Sequence, residues 1–277
     1  MSALEIVSAM NREDALVPRA ICGALPAIAK AVDMVAERLA QGGRLIYVGS
    51  GTSGRIGALD ASECPPTFGV SPETVQFVIA GGERALVRAA EASEDSAANG
   101  RKDMAARKPG KRDVVVGIAA SGFTTYTISA LKLARSRGAA TIAVACNRNT
   151  DLAKVADLRI EVEVGPEVLA GSSRMKAGTA EKLICNMLST GAMVRLGYVY
   201  SNLMVKMSVT NRKLLQRGVT ILESLAHVDK ARALKTLKEA GMSVPLALVM
   251  LKTQSSKPEA MRRLKKANGN VRKAIEG

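Results

Sequence analysis

Short, continuous apolar runs that alternate with helical patterns restrict the fold of this chain more than any other feature. The four runs are 44–48, 113–118, 141–145 and 158–162, and each is rich in β-branched residues. Runs of this kind, separated by helical segments, are typical of a parallel sheet covered by helices on both faces. The pattern predicts a doubly wound α/β fold.

Helical periodicity dominates the rest of the chain. Residues 3–41 are predicted to be mainly helical, with an apolar stripe at spacings of three and four along 17–38. An apolar helix is predicted over 174–195, and another over 203–225. These segments supply the helices that a doubly wound sheet needs on its faces.

The end of the chain has a different composition. Breaks at Gly241, around 255–258 and at Gly269 predict three or four short helices in a compact bundle. We therefore predict a larger α/β domain over 1–226 and a small, basic, all-α module over 227–277.

Positive charge is concentrated in this C-terminal segment. The formal net charge of the chain is +15, and residues 229–277 contain twelve Lys or Arg against four Asp or Glu. A basic chain raises nucleic acid as a partner. Because more than half of the excess lies in one short segment, we do not expect nucleic acid to be a partner of this chain, despite its basic tail.

The cysteines and the apolar segments indicate the compartment. No stretch reaches the roughly 18 consecutive apolar residues of a membrane helix, and the first residues lack the apolar segment of a signal peptide. Cys22, Cys64, Cys146 and Cys185 are far apart and form no Cys-x-x-Cys pair, so zinc ligation and a disulfide framework both lack support. We expect a cytoplasmic protein with four buried, reduced thiols and no membrane partner.

A glycine-rich loop, Gly49-Ser-Gly-Thr-Ser-Gly-Arg55, follows the first apolar run and opens a helix. Free backbone N–H groups, the hydroxyls of Ser50, Thr52 and Ser53, and the positive end of the helix dipole converge there, which favours an anion. The loop lacks the Gly-Lys-Ser/Thr of a P-loop. It also fits the dinucleotide-binding pattern poorly, because no acidic residue closes a second strand about twenty residues on.

Two more hydroxyl-rich loops, 121–125 and 171–179, stand at the end of the second apolar run and at the start of a long helix. Loops at the carboxyl ends of adjacent strands can surround one small ligand. Small hydroxyl residues and few aromatics favour a sugar phosphate, although ordinary helix caps and turns have the same composition. The candidate phosphate-binding residues are Ser50, Gly51, Thr52, Ser53, Ser121, Gly122, Thr124, Ser172, Ser173 and Lys176.

Two glutamates occupy positions that the helical pattern assigns to apolar faces. Glu63 falls four residues after Leu59, just before a Pro-Pro pair that is predicted to end the helix. Glu94 falls four residues after Ala90, on a second predicted helix whose inner face includes Val87. A carboxylate in such a place is paired, exposed by fraying, or desolvated with a raised pKa that suits acid–base catalysis. Spacing alone favours a structural role and a catalytic role equally.

The segment 43–55, together with Asp60-Ala-Ser-Glu-Cys-Pro-Pro-Thr-Phe-Gly-Val70, closely resembles the N-acetylmuramic acid 6-phosphate etherases. The likeness covers nearly the whole chain. It continues through 79–83, 91–95, 115–122, 164–168, 171–180, 186–191 and 202–205.

This resemblance implies a sugar isomerase (SIS) domain, a homodimer, no metal or organic cofactor, and a C-terminal module similar to ubiquitin-associated domains. The reaction it implies breaks the ether between C3 of N-acetylmuramic acid 6-phosphate and its lactyl group, giving N-acetylglucosamine 6-phosphate and D-lactate. That reaction belongs to the recycling and breakdown of cell-wall amino sugars.

Matching motif to motif, the resemblance assigns Glu63 as the proton donor and Glu94 as the second catalytic glutamate. Our hypothesis is that Glu94 removes the C2 proton, while Glu63 protonates the departing lactate oxygen and later delivers water. The chain departs from the family over 121–126, Ser-Gly-Phe-Thr-Thr-Tyr, where the family commonly has Ser-Gly-Arg-Thr-Pro-Tyr. The missing arginine bears on phosphate affinity or substrate choice.

Three other functions fit parts of the pattern. A sugar-phosphate sensor similar to glucokinase regulatory proteins would keep the loops but need neither glutamate. A DNA-binding regulator with a SIS domain would use the basic segment, and its DNA binding would depend strongly on salt. An aldose–ketose isomerase would share the abstraction of the C2 proton but would release no acid.

Overall fold

The computed structural model describes residues 1–88, 93–207, 209 and 211–277. These residues form two compact units. The first unit contains Met1–Ser62 and Pro72–Ala192, and the second contains Glu63–Ser71 and Met193–Gly277.

The first unit is built on a five-stranded sheet in which all strand pairs are parallel and the strand order is β2-β1-β3-β4-β5. The four predicted runs all form strands, but the prediction missed β2, whose apolar run is interrupted by Gln76. The strands are β1 (Leu45–Gly49), β2 (Val75–Ile79), β3 (Val114–Ile118), β4 (Ala140–Ala145) and β5 (Leu158–Glu161).

Helices cover both faces of this sheet. Alternate strand residues, such as Ile46 and Val115, share a buried cluster with Met104, Tyr126 and Leu152 on one face, and α3 packs on the other against β3 and β5. The doubly wound fold is therefore confirmed. The helices wholly or partly in this unit are α1 (Ala3–Asp14), α2 (Val17–Cys22), α3 (Leu25–Ala40), α4 (Gly51–Phe68), α5 (Ala97–Ala106), α6 (Thr125–Ser136), α7 (Asp151–Lys154) and α8 (Lys176–Arg195).

Helix α4 does not end at the Pro-Pro pair, as the sequence predicted, but continues through Pro65 and Pro66 to Phe68. The torsion angle φ of proline suits a helix, so the pair removes two backbone hydrogen bonds without ending it here. The predicted stripe is also wrong, since Leu59 is 53% exposed and Glu63 is exposed.

The inner face of α4 consists of small residues because the helix lies very close to β1. A Cβ atom added to Gly57 would stand 2.8 Å from the Cβ of Tyr47. Ala58 and Ala61 are likewise buried. Large side chains such as Leu59 therefore lie on the outer side of the helix.

Asp60 links α4 to β1 and α8. Its carboxylate is 5% exposed and accepts hydrogen bonds from Tyr47 Oη at 2.8 Å, Asn186 Nδ2 at 2.7 Å and Ser189 Oγ at 3.1 Å. A buried carboxylate is tolerated where several donors satisfy it. Asp60 thereby fixes the helix that carries the glycine-rich loop.

We expect Asp60→Ala to lower the free energy of unfolding by about 3 kcal/mol or more, since it leaves buried donors without their acceptor. Asp60→Asn keeps one acceptor oxygen and should cost less. Urea unfolding followed by circular dichroism measures both variants. Equal stability of Asp60→Ala and the wild type would show that these hydrogen bonds contribute nothing to folding.

The second predicted helix, after Gly82, is not present as predicted. Glu83–Leu86 form a single 3₁₀ turn, and Val87, assigned to an inner face, is 84% exposed. Ala90 lies outside the described residues. Glu94 instead stands in a turn that leads into α5.

In the part of the second unit that the structure describes, five complete helices form their own buried cluster, which includes Val219, Leu222, Leu237 and Val249. Helix α9 packs against α10 and α11, so it belongs with the C-terminal helices and not, as predicted, with the sheet. The helix predicted from residue 203 begins only at Arg212. The helices are α9 (Arg212–Ala226), α10 (Lys230–Glu239), α11 (Val244–Thr253), α12 (Lys257–Lys266) and α13 (Val271–Glu276).

Within the described parts of the chain, no single helix is both long and apolar enough to cross a membrane. The segment Ala3–Cys22, which contains α1 and α2, passes that test only in combination with α3. The two segments are bent by 68° relative to each other.

Candidate active site

A cavity of about 530 Å³ opens at the carboxyl ends of β1, β3 and β4. The strand order reverses between β1 and β3, and doubly wound proteins bind ligands at such a switch point. The cavity lies in the first unit and is lined mainly by loop residues. They are Ser50, Gly51, Thr52, Ser53, Glu94, Ala120, Ser121, Thr124, Cys146, Asn147, Val164, Gly165, Pro166, Glu167, Gly171, Ser173 and Ala177.

The loop after β1 leads directly into α4. Gly51 has φ +52°, a left-handed conformation that glycine adopts without strain. The N–H groups in the first turn of a helix have no partner within the helix, and the helix dipole is positive there. Because Gly51, Thr52 and Ser53 all line the cavity, this end of α4 can bind an anion.

Glu94 lies against this loop. Its carboxylate accepts a hydrogen bond from Ser50 Oγ at 3.1 Å, and its side chain is only partly exposed. Its backbone oxygen accepts from the backbone N of Tyr126 at 2.9 Å. The first turn of α6 therefore fixes the position of Glu94 beside the glycine-rich loop.

Tyr126 is itself held in place. Its phenol donates to Asp103 on α5 at 2.7 Å, and burial together with that hydrogen bond raises the pKa of Tyr126. The phenol is therefore neutral, and it ties α6 to α5, the helix into which the turn that carries Glu94 leads.

Ser53 makes a contact that the sequence analysis missed. Its Oγ lies 2.8 Å from Oε1 of Glu181, which is on α8 and has no exposed surface. Burial raises the pKa of Glu181 to about 8, although the hydrogen bond from Ser53 opposes this shift. A glutamate in the middle of an apolar helix was the available sequence signal.

The loop after β3 contributes two of its three candidates. Ser121 and Thr124 line the cavity, and Thr124 precedes α6 without making a side-chain cap. Gly122 does not line it. With φ +77° and a Cβ position 2.3 Å from Thr150, Gly122 forms a close turn that only glycine fits. Phe123, which replaces the family's arginine, is 53% exposed.

The start of α8 is not free to bind a phosphate. The carboxylate of Glu167 accepts hydrogen bonds from the backbone N of Lys176 at 2.8 Å and of Ala177 at 2.9 Å. Glu167 thus occupies the anion position at the end of this helix. Of the candidates in this loop, Ser173 lines the cavity and Ser172 does not.

Lys176 also differs from the prediction. Its side chain is 2% exposed, and its Nζ forms an ion pair of 2.6 Å with Glu13 on α1. It is absent from the cavity lining, and its charge is already compensated. Lys176 therefore anchors α1 and is not positioned to contact a ligand in the cavity.

Glu63 is not one of the cavity-lining residues. It is exposed near the C-terminal end of α4. Its catalytic assignment therefore rests on the family motif in which it stands.

No group of three His, Cys, Asp or Glu side chains in the described ranges is arranged to hold a metal ion. The four cysteines, all within the described residues, form no disulfide, and Cys64, Cys146 and Cys185 are buried as expected. Cys22 is exposed, contrary to the prediction, because it ends the short helix α2 on its outer side.

The fold and its hydroxyl-lined cavity define the class of protein. The SIS domain model matches residues 87–190, and the model of the glucokinase regulatory protein N-terminal SIS domain matches residues 27–135. A phosphoheptose isomerase from Francisella tularensis has the same fold, with a TM-score of 0.54, 20% identity, and coverage of 69% of this chain and 98% of that one. The chain is a SIS-domain protein, as its sequence predicted.

Two relatives narrow the class to a family. The N-acetylmuramic acid 6-phosphate etherase of Halalkalibacterium halodurans is 50% identical over 275 residues, which are 99% of this chain and 92% of the relative. That of Clostridium beijerinckii is 48% identical over 276 residues, which are 100% of this chain and 91% of the relative. This chain belongs to the N-acetylmuramic acid 6-phosphate etherase family.

Proposed function

We propose that this chain cleaves the lactyl ether of N-acetylmuramic acid 6-phosphate, giving N-acetylglucosamine 6-phosphate and D-lactate. The observation that carries the proposal is the hydrogen bond between Glu94 and Ser50, which sets a carboxylate beside an anion-binding loop. The identity of the proposed substrate comes from the names of the relatives, which are N-acetylmuramic acid 6-phosphate etherases. The SIS fold supports a sugar phosphate as the ligand.

The phosphate would bind at the start of α4. The donors available there are the backbone N–H groups of that turn and the hydroxyl of Thr52, and beside them lie the hydroxyls of Ser50 and Ser53, which donate to Glu94 and Glu181 in the structure. Ser121, Thr124 and Ser173 offer further hydroxyls around the same cavity. The sugar would then extend past Glu94, within a volume that is normal for a small-molecule site.

The reaction is an elimination followed by an addition. In the ring-opened sugar, Glu94 takes the proton from C2, next to the C1 aldehyde. The C3–O bond then breaks, Glu63 gives its proton to the leaving lactate oxygen, and a C2=C3 double bond forms. Addition of water across this bond places the hydroxyl on C3 and returns a proton to C2.

The direct test is to incubate the purified protein with N-acetylmuramic acid 6-phosphate and to follow D-lactate with a coupled assay. Stoichiometric release of D-lactate is the expected result. A protein that binds the sugar phosphate and releases nothing would be a sensor. A protein that converts aldose to ketose without releasing lactate would be an isomerase.

We also propose that the chain is a homodimer. Helix α1 has no buried residue, and its apolar side chains Leu4, Ile6 and Val7 are 74%, 45% and 56% exposed. Exposed apolar residues that cluster on one helix are typical of an interaction surface. A second copy of the chain would cover them.

Light scattering should give a mass near twice 29.1 kDa for the wild type. Leu4→Glu combined with Val7→Glu is expected to shift the protein toward the monomer, because two charges would be buried in the interface. Lys132→Glu, at an exposed position on α6, is the matched control and should stay dimeric. A wild type that is monomeric at micromolar concentration would contradict the proposal.

A further inference from the structure

Glu181 is unusual among the buried carboxylates that the structure describes. Asp60 accepts three hydrogen bonds, and Asp113 forms an ion pair with Arg44 at 2.7 Å. Glu181 has only Ser53, at its Oε1, and its Oε2 is buried without a partner. A buried charge with so little compensation is strongly unfavourable, so Glu181 is expected to be a neutral acid.

Desolvation is the main cause of the raised pKa of Glu181, and no charged neighbour contributes to that shift. The thiols of Cys146, after β4, and of Cys185, one turn further along α8, both sense the charge of Glu181. The carboxylates of Asp60 on α4 and Glu167 before α8 act on the same thiols. All of these groups are neutral or negative, and no described cation offsets the burial that raises the pKa of Glu181 to about 8.

Ser53 connects this buried acid to the cavity. It lines the cavity at the start of α4 and is 7% exposed. A serine hydroxyl has one hydrogen to donate and two lone pairs to accept with. If Glu181 is ionised, Ser53 must give that hydrogen to it. If Glu181 is protonated, the acid can donate to Ser53 Oγ, and the serine hydrogen becomes available to a ligand.

We propose that Glu181 is a positioning residue that couples phosphate binding to a proton, because only its protonated form frees the Ser53 hydroxyl to donate to an oxygen of the phosphate ester. This inference rests on the proposed binding of the phosphate at the start of α4. Ionisation of Glu181 both removes that donor and places a negative charge behind the anion site.

The direction of the pH effect follows from this linkage. The phosphate ester binds to the form of the protein in which Glu181 carries its proton, so affinity is full below the folded-state pKa of about 8 and falls above it. For a single linked proton the fall approaches tenfold per pH unit, or about thirtyfold between pH 7 and pH 9.5. The phosphate group has already lost its second proton in this range, since its pKa is about 6.

The test uses N-acetylglucosamine 6-phosphate, the phosphorylated product of the proposed reaction, in calorimetric titrations of the wild type and Glu181→Gln from pH 7 to pH 9.5. The wild type should lose affinity by about thirtyfold and take up about one proton per ligand at pH 9. The amide of Glu181→Gln can donate to Ser53 at every pH. Its affinity should change less than about twofold over the range, without proton uptake.

Ser53→Ala is the second variant, in case Glu181→Gln does not fold. It lacks the hydroxyl that Glu181 redirects, so it should bind about tenfold more weakly at pH 7, in line with the loss of one hydrogen bond to a charged group. Its affinity should fall by less than about fivefold up to pH 9.5, since only charge repulsion remains. A fall as steep as that of the wild type would overturn the proposal.

Thermal unfolding gives a readout that needs no ligand. A carboxyl group whose pKa is higher in the folded state than in the unfolded state stabilises the fold fully only at pH values below the unfolded-state pKa. That contribution to the free energy of unfolding is lost as the pH rises to the folded-state pKa of about 8. The unfolding temperature of the wild type should therefore fall between pH 6 and pH 9 relative to that of Glu181→Gln. Parallel curves would contradict a buried, protonated Glu181.

The outcomes separate this inference from the proposed function. Parallel pH dependence of binding in the wild type and Glu181→Gln, in a protein that releases D-lactate, would overturn the role of Glu181 alone. Failure of both proteins to bind the sugar phosphate at pH 7 would overturn the phosphate site and this inference together.

Discussion

Glu94→Gln is expected to lower the rate of D-lactate release by about a thousandfold, which is the usual range for removal of a general base. The amide cannot accept the C2 proton, but its oxygen can still accept the hydrogen bond that Ser50 makes to Glu94. The anion-binding loop should therefore keep its shape. Binding of N-acetylglucosamine 6-phosphate is expected to change little, so the loss should appear in kcat and not in KM.

Exchange of the C2 hydrogen with solvent deuterium measures the same step directly. Glu94→Gln should abolish this exchange together with lactate release. Glu37→Gln, an exposed carboxylate on α3, is the matched control and should retain both. If Glu94→Gln exchanged its C2 hydrogen at the wild-type rate, the base would have to be another residue.

Glu63→Ala is also expected to slow lactate release strongly, but to have a different effect on exchange. Without a proton donor for the leaving oxygen, cleavage of the C3–O bond should slow by about a hundredfold or more. Because Glu94 is intact, the C2 proton should still exchange with solvent. Nuclear magnetic resonance in deuterium oxide follows both processes in one sample.

Ser62→Ala is the control for this variant, since Ser62 is the exposed neighbour of Glu63 and bonds only to the backbone oxygen of Leu59 at 2.8 Å. It should leave lactate release unaffected. Simultaneous loss of exchange and release in Glu63→Ala would argue against two separate roles and in favour of a shared proton path through both glutamates.

The sheet could be predicted from the sequence because its signal is local. Each of the four predicted runs is a short segment rich in apolar and β-branched residues between loop residues, and each forms a strand. The strand at Val75–Ile79 was missed, although Gln76 makes its run no more polar than that of β5, which contains Arg159 and Glu161. In the structure the side chain of Gln76 is buried and donates to Glu73 at 2.7 Å, a partner that the pattern of apolar residues does not show.

The helix predictions failed where packing overrode periodicity. The stripe of Ile56 and Leu59 resembles an inner face, yet α4 turns Gly57 and Ala61 toward β1, because only small residues fit at that distance. Spacing therefore assigned Glu63 to the wrong face. Similarly, Val87 was assigned to a buried stripe but lies on an exposed turn.

The sequence by itself determined the parallel sheet, the glycine-rich loop after β1 and the family, since these depend on backbone preferences and motifs within a few residues of one another. Only the tertiary structure decided which charges are compensated. Lys176 pairs with Glu13, 163 residues away, and Ser53 meets Glu181, 128 residues away. Whether a charged or polar side chain is available to a ligand depends on such distant partners and on burial, and neither is encoded in local spacing.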